Sequence, residues 1–575
     1  MKKLILALGC LWIVAAGADQ TLDRKNLGQG RAGDLLFVHH PPDPVNTRTG
    51  NFYLPLQDYY LSCFNYPLEV YRSYNSFSTQ NGPFGHGWTF NYDIQIIVGQ
   101  EDGLKVVEAD GFVNEYLPVE NKYQSQKEII NVILEKRKAQ DIKALKNKSG
   151  KGDAFYDKLK ERLYNDPSYY ESLKKKHVTI TRISPSGKYV SKNRGTSYLT
   201  QKSSGFTREN EAGKTETYNA KGLMIKIQDR NNNTLRFIYD RLSRLSKVSD
   251  ACGNTIGITY NKNDKIESIK DSHQRMLKYS YDSQLRLTSF TGLDKKTMTY
   301  AYDTFNRMTK ITFEDGTSTT IGYQKDGRVS NQIGPGSKHA SFEYGKDGTT
   351  FWTKVTENKN ETSQYQYTDH ENKIVYVDPK GSKTTTVLST CCGKPISIKS
   401  STGINDIFLY DQENNLQSRT NAKGDVTEFI YEPRFKSISD IKESNGKSLR
   451  YRYDTKGNLV FAQSTKNATS SILPGQKPVR EHLKIAYEAR GKIRHIADHL
   501  GTEIYFAYSS LGKIASIEKK KSKKQTAKIE FSYDKVGQTT EVKLTPNLPE
   551  TSQDIQATLK NFMVLLEPTG IDFEI

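Results

Sequence analysis

From Tyr218 onward the chain repeats one short pattern of apolar and polar positions. An aromatic or apolar residue, a spacer, a tyrosine and an aspartate open a unit, as in Phe237-Ile238-Tyr239-Asp240, Tyr279-Ser280-Tyr281-Asp282 and Tyr300-Ala301-Tyr302-Asp303. Rings two residues apart fall on one face of a strand. The position four residues after the tyrosine is Gly222, Gly327, Gly457, Gly491, Gly512 or Gly537, or else Asn306 or Asn414. These types tolerate the positive φ of a tight hairpin turn. Asp264 substitutes well there, whereas Leu285 does not, and a distorted turn is expected at Leu285. An apolar strand then returns, as in Met308–Phe313, and a second turn follows at Asp315-Gly316 or Asp250-Ala251-Cys252-Gly253-Asn254.

The period is fixed. Tyrosines stand at 218, 239, 260, 281, 302, 323 and 344, six consecutive steps of 21. With small insertions the phase continues through Tyr367, Tyr410, Tyr431, Tyr453, Tyr487, Tyr508 and Tyr533, with Leu388 a candidate for the missing mark. Two strands and two turns per unit predict a long antiparallel ribbon that curls on itself. Because one hairpin cannot bury its aromatic face, stacking on neighbours must stabilise each unit. Bent into a single ring, 28–32 strands at ~4.8 Å would have a diameter of about 45 Å.

Residues 218–544 resemble the YD-repeat, or Rhs-repeat, family, which includes bacterial Rhs proteins, wall-associated proteins, toxin-complex shells and teneurins. Asp43–Phe52, Leu68–Ser76 and Phe84-Gly85-His86-Gly87-Trp88 resemble the domain that precedes Rhs repeats. The resemblance covers most of residues 34–545. It implies a hollow β-shell with aromatic residues packed in register. The fold expected is mainly β: a YD-repeat ribbon curling into an open or partial shell, with a small inserted basic helical hairpin. The expected divisions are a signal peptide (1–18), an Rhs-associated β domain (34–119), the helical insertion (120–177), the rest of the N-terminal β region (178–217), the repeats (218–545) and a C-terminal tail (546–575).

The insertion breaks the β pattern. Glu128–Lys148 and Asp153–Tyr164 carry apolar residues at helical spacing, Pro167 interrupts, and Lys174-Lys175-Lys176 closes the stretch. The tail has one amphipathic stretch with Ile555, Leu559, Phe562 and Leu566. Basic Lys519–Lys524 reads as an exposed loop, and Thr465–Arg480 as a longer one.

The start of the chain sets the expected compartment. Lys2 and Lys3, the apolar run Leu4–Ala16 and Ala16-Gly17-Ala18 form a secretory signal peptide, cleaved near Ala18. A lipobox on Cys10 fits less well, because Ala7-Leu8-Gly9 precedes it. Cys63, Cys252, Cys391 and Cys392 then remain, and four thiols permit three pairings. Composition agrees with thin layers rather than a membrane bundle: 35% hydrophobic and 11% aromatic residues. The net charge of +19 raises nucleic acid or an anionic envelope surface as partners. The repeat register makes the aromatics core residues, which argues against nucleic-acid stacking.

Candidate chemistry is sparse. His39-His40 is a poor metal clamp, and His86 sits in a glycine-rich turn. The sequence lacks a phosphate loop, GxSxG, HExxH and a calcium loop. The resemblance implies an autoproteolytic core only in long family members. Here the tryptophans are Trp12, Trp88 and Trp352, and about thirty residues follow the last repeat. No catalytic, cofactor or metal residue is therefore assigned, and no enzyme activity is expected. The function expected is an exported scaffold at the bacterial envelope or surface, for adhesion, recognition or cell–cell contact, with envelope glycans or a surface receptor as partners. The alternative is a truncated or split shell component of a toxin-delivery system, whose partner is a separate toxin or shell chain.

Overall fold

The computed structural model describes residues 45–99, 103–109, 113–119, 126–145, 151–177, 184, 186–191, 197–210, 213–358, 361–389, 394–411, 415–466, 479–546, 548 and 550–571. The expected signal peptide, His39-His40, Cys391, Cys392, Asn414 and most of the expected 465–480 loop lie outside them.

Each repeat forms two strands and two turns, as in Thr234–Tyr239, Leu245–Asp250, Thr255–Tyr260 and Ile266–Asp271. The motif residues have separable tasks. The tyrosine hydroxyl reaches back to the preceding hairpin and donates to the carbonyl that opens its return strand. Tyr239 bonds Met224 O at 2.8 Å, Tyr260 bonds Leu245 O at 3.0 Å, and Tyr323 bonds Met308 O at 2.7 Å. Tyr410, Tyr431, Tyr453 and Tyr508 make the same bond to the carbonyl fifteen residues earlier. The aspartate closes the turn. Asp240 accepts the amides of Leu242 and Arg244 and the Arg244 Nε–H, all at 2.8–2.9 Å. Arg244 then lies 4.6 Å from the centre of the next repeat's ring, Tyr260, and Arg307 lies 4.7 Å from Tyr323.

The turn at Leu285 is not distorted. Leu285 takes φ 62°, its amide bonds Asp282 O at 3.1 Å, and Asp282 accepts the amides of Gln284 and Arg286. The aspartate's bonds impose the left-handed conformation on a residue that disfavours it. The basic run is likewise not a loop. Ile514–Lys521 and Lys524–Tyr533 are long paired strands joined at Ser522-Lys523.

Thirty-six strands form one antiparallel sheet, beginning at Gln95–Gly99 and ending at Thr539–Thr545. The sheet is not closed, because these two outer strands are not paired with each other. Instead it winds past itself. Near the start it curls tightly, so that Ile96 N–H donates to Gly222 O at 2.8 Å. Later windings meet turn to turn: Asn231 Nδ2 donates to Asn458 Oδ1 at 3.1 Å, and Asn233 Nδ2 to Arg490 O at 3.0 Å. About twenty strands separate those turns, or ~100 Å of ribbon at ~4.8 Å per strand. A winding is therefore narrower than the single 45 Å ring expected from strand number.

Cys63 and Cys252 form a disulfide joining the N-terminal region to the repeats. The insertion holds three helices rather than a hairpin: α1 (Gln126–Leu145), α2 (Asp153–Asn165) and α3 (Pro167–His177). Pro167 opens α3, where its missing N–H is no loss, and the three lysines belong to the last turns of α3. Ile130, Ile133, Tyr156, Leu159 and Leu163 give these helices a core of their own. Helix α4 (Glu550–Leu566) lays Ile555, Leu559, Phe562 and Leu566 on the inner face of the last strands. No described helix is long and apolar enough to cross a membrane.

Tyr260→Phe removes one hydroxyl and leaves Leu245 O without that donor. The expected cost is about 1 kcal/mol in urea unfolding. An unchanged unfolding curve would contradict the role assigned to the hydroxyl.

Candidate interaction surface

A strand with an arginine in its apolar phase organises the interior. In Leu68–Asn75, the positions Leu68, Val70, Arg72 and Tyr74 alternate onto one side, and all four are buried. Together with Tyr53–Leu61 and Trp88–Phe90 this strand forms a three-stranded sheet. The small sheet packs against the inner face of the repeats and plugs the winding.

Arg72 is 0% exposed and has three kinds of partner. Its Nε donates to Asp58 at 2.6 Å, its Nη2 donates to the Tyr300 hydroxyl at 2.7 Å, and its guanidinium lies 4.4 Å from the Trp88 ring centre and 4.9 Å from that of Phe290. Tyr279 donates to Asp58 at 2.9 Å. Burial pushes the Asp58 carboxyl up while Arg72 pulls it back. Around this centre, Trp88 Nε1 donates to the Tyr302 hydroxyl at 3.0 Å, Tyr59 donates to Asp271 at 3.0 Å, and Tyr74 accepts the Met308 amide at 2.9 Å. Farther along the ribbon, Thr47 shares a 2.7 Å hydrogen bond with Tyr367, and Arg48 pairs with Asp369 at 2.7 Å.

A second buried charge cluster joins the first strands to the repeats. Arg208 meets both Glu108 and Glu216 at 2.6 Å, Lys214 meets Glu216 at 2.8 Å, and Tyr218 donates to Glu216 at 2.6 Å. Burial works against the Glu216 carboxylate. Arg208 and Lys214 outweigh it and hold the carboxyl well below the usual range. Burial also raises the repeat tyrosines, Tyr453 to about 12, so their hydroxyls remain donors at neutral pH.

These residues have structural tasks. Repeat aspartates such as Asp240, Asp282 and Asp303 are occupied by turn amides and arginines. Among the described residues, the one group of three that could hold a metal is Cys63, Asp250 and Cys252. Two of these are joined as a disulfide, and Asp250 accepts the Asn254 amide and side chain. His86 lies in the two-residue strand Gly85–His86, paired with Asn81. The lysines of 519–524 are partly committed as well: Lys519 bonds Asp554 on α4, and Lys520 lies 4.6 Å from the Tyr505 ring centre.

One stretch of wall lacks such cover among the described residues. One core cluster takes the plug and repeats as far as Tyr376, and another takes Phe429 onward with α4. Between them, Ile398 and Phe408 share the inner phase with Asp406 and Arg419, which pair at 2.6 Å, while Ile396 is the extra residue of the bulge opposite Leu388 and is 38% exposed. The Asp58–Arg72 pair was missed in the sequence, although a charge in phase with Leu68, Val70 and Tyr74 was its visible signal.

Two stability experiments test these centres. Arg72→Leu should cost about 3–5 kcal/mol in urea unfolding by stranding Asp58, and the Asp58→Leu/Arg72→Leu double variant should recover much of that. Equal losses in both would contradict the coupling. The lowered native pKa of Glu216 adds stability above its unfolded value of ~4.3, and this is lost as pH falls through the native value. Glu216→Gln should therefore destabilise most at neutral pH, with the gap narrowing below about pH 4. A pH-independent gap would rule this out.

Residues 42–116 match the model of a domain of unknown function, DUF6531, and residues 253–388 match the model named Teneurin YD-shell. No curated protein matches the chain. Among solved structures, a Photorhabdus luminescens Tc holotoxin pore overlays 90% of this chain and 28% of that one, at 11% identity and TM-score 0.45. The TcdB2–TccC3 structure without its hypervariable C-terminal region overlays 89% of this chain and 28% of that one, at 10% identity and TM-score 0.44. The chain thus spans just over a quarter of the toxin-complex chains it overlays. The chain thus carries a DUF6531 segment at 42–116 and a YD-shell segment at 253–388, the latter within the 21-residue tyrosine register.

Proposed function

We propose that this chain is an exported, non-enzymatic YD-repeat scaffold that acts at the bacterial envelope or surface, in adhesion, recognition or contact between cells. The observation that carries this reading is the cover over much of the inner face. Among the described residues, the Arg72-centred sheet occupies one part of the winding and α4 covers the inner face of another, which favours the outer walls as the binding surface. The acidic groups of the repeats support the non-enzymatic part, since they are bound into turns. The net charge of +19 favours anionic envelope polymers as the surface met first. Carbohydrate is the ligand class in this reading, bound on exposed walls rather than on the buried repeat tyrosines.

The second reading, a shell component completed by another chain, is favoured by the outer strand Thr539–Thr545, whose outer edge pairs with no strand among the described residues and can accept one.

Purified mature protein mixed with cell-wall sacculi, lipopolysaccharide vesicles and intact cells should sediment with at least one of them, and less so in high salt. Tyr281→Ala should lower stability without changing sedimentation of the folded fraction. Absence of binding to all three, with a second polypeptide retained on native purification, would replace the first reading by the second.

A further inference from the structure

The ribbon has two ends, and among the described residues only the second is open. At the first, Gln95–Gly99, Ile96 N–H donates to Gly222 O at 2.8 Å and Gln95 bridges Leu223. The last strand, Thr539–Thr545, is paired on one side, with Lys524–Tyr533. Thr539–Lys543 are exposed, and the strand holds no Pro or Gly that would blunt its edge. Its backbone phase follows from the last hairpin. Asp534 N–H donates to Gln538 O, so Asp534 turns its backbone groups toward this strand. Antiparallel alternation gives the same orientation to Ser532 and Glu530, and to Glu541 and Lys543 opposite them. The N–H and C=O groups of Thr540, Val542 and Leu544 therefore point away from the ribbon. Side chains alternate in the same step. Val542 stands opposite Phe531 and Leu544 opposite Ile529 on the inner face, while Glu541 and Lys543 lie 3.4 Å apart on the outer face, both exposed.

We propose that this edge is a homodimer interface, in which Thr539–Thr545 pairs antiparallel with the same strand of a second copy about a two-fold axis at Val542. Backbone and charge select that register together. Outward residues must face outward residues, which restricts the strands to sliding in whole steps of the pleat. Centring on Glu541 sets that glutamate against itself, and centring on Lys543 does the same with lysine. Like charges directly opposite are destabilising. Centring on Leu544 brings Val542 to Pro546, which has no N–H, and centring on Thr540 brings it to Gln538, whose carbonyl is already taken. Centring on Val542 sets Glu541 opposite Lys543 twice, in the close non-hydrogen-bonded pairs with Cα atoms about 4.5 Å apart. Lys543 also stands across from Glu530, so the charges alternate Glu530, Lys543, Glu541 across the seam. On the inner face Val542 meets Val542, and Thr540 meets Leu544. The covered first end leaves no site for head-to-tail addition, so the assembly closes at two copies. The inference goes beyond the envelope reading and does not depend on it, and it gives the edge to a second copy rather than to a different chain.

Sedimentation velocity of the full mature protein should show a concentration-dependent dimer. Val542→Pro removes an N–H that the ladder to Lys524–Tyr533 does not use, so the fold should persist and the dimer be lost. Glu541→Lys and Lys543→Glu should each weaken dimerisation roughly tenfold or more, by setting like charges opposite one another. Mixed in equal amounts, these two variants should form a heterodimer, because a strand with two lysines then faces a strand with two glutamates. Rescue by mixing is a readout that misfolding of either variant would not give. A protein that stays monomeric at every concentration, a dimer that survives Val542→Pro, or a mixture that fails to associate would each overturn the proposal. So would a monomer whose Val542 amide resists hydrogen exchange, which would give the edge to another segment of the same chain. Envelope sedimentation is read separately, and its failure leaves the dimer result standing.

Discussion

Everything in this ribbon rests on a hydroxyl meeting a carbonyl one hairpin back. A thin antiparallel sheet satisfies its amides within each pair, but at every bulge beside the repeat tyrosine the ladder slips by one residue. The tyrosine fills that slip. Its ring lies on the inner face, and its hydroxyl bonds the carbonyl of Leu245, Ile266 or Leu287, the residues that open the return strands. The same residue thus contributes apolar area and a polar bond between neighbours. The aspartate that follows shapes the turn, and where arginine pairs with it, that side chain covers the next tyrosine. Each repeat is incomplete until its neighbour is in place, so the stabilising terms run mainly along the ribbon.

The plug works differently. It is tied to the wall by bonds that occur once, and a buried ion pair lies at their centre. Such a pair is weak evidence of stability in itself, since removing two charges from water costs several kcal/mol per ion. Its geometry is specific, however. Asp58 and Arg72 use Tyr279, Tyr300, Trp88 and Phe290 together, and a sheet shifted by one repeat would place other residues opposite them. We read the pair as a register lock for the plug.

Much of this was legible in the sequence where the information is periodic. The step of 21 located strands, turns and buried rings, because alternation and turn chemistry are local. Leu285 shows the limit of residue preference, since Asp282 and its two amide bonds override it. The third helix was missed because Pro167 reads as a break and is equally a helix start. Winding was illegible for a different reason. It depends on single contacts such as Asn231 with Asn458 and Asn233 with Arg490, which share no period. The Cys63–Cys252 pairing was one of three open choices, and only the docking of the plug selects it.

The order of residues along the chain has a consequence for synthesis. Arg72 precedes its partner Tyr300 by 228 residues. At a synthesis rate of ~5–20 residues per second, roughly 10–45 s pass before that partner exists. The innermost part of the molecule is therefore made first and the wall that encloses it last, so a chain that began to fold during synthesis would hold the Arg72 charge in water until the wall arrived.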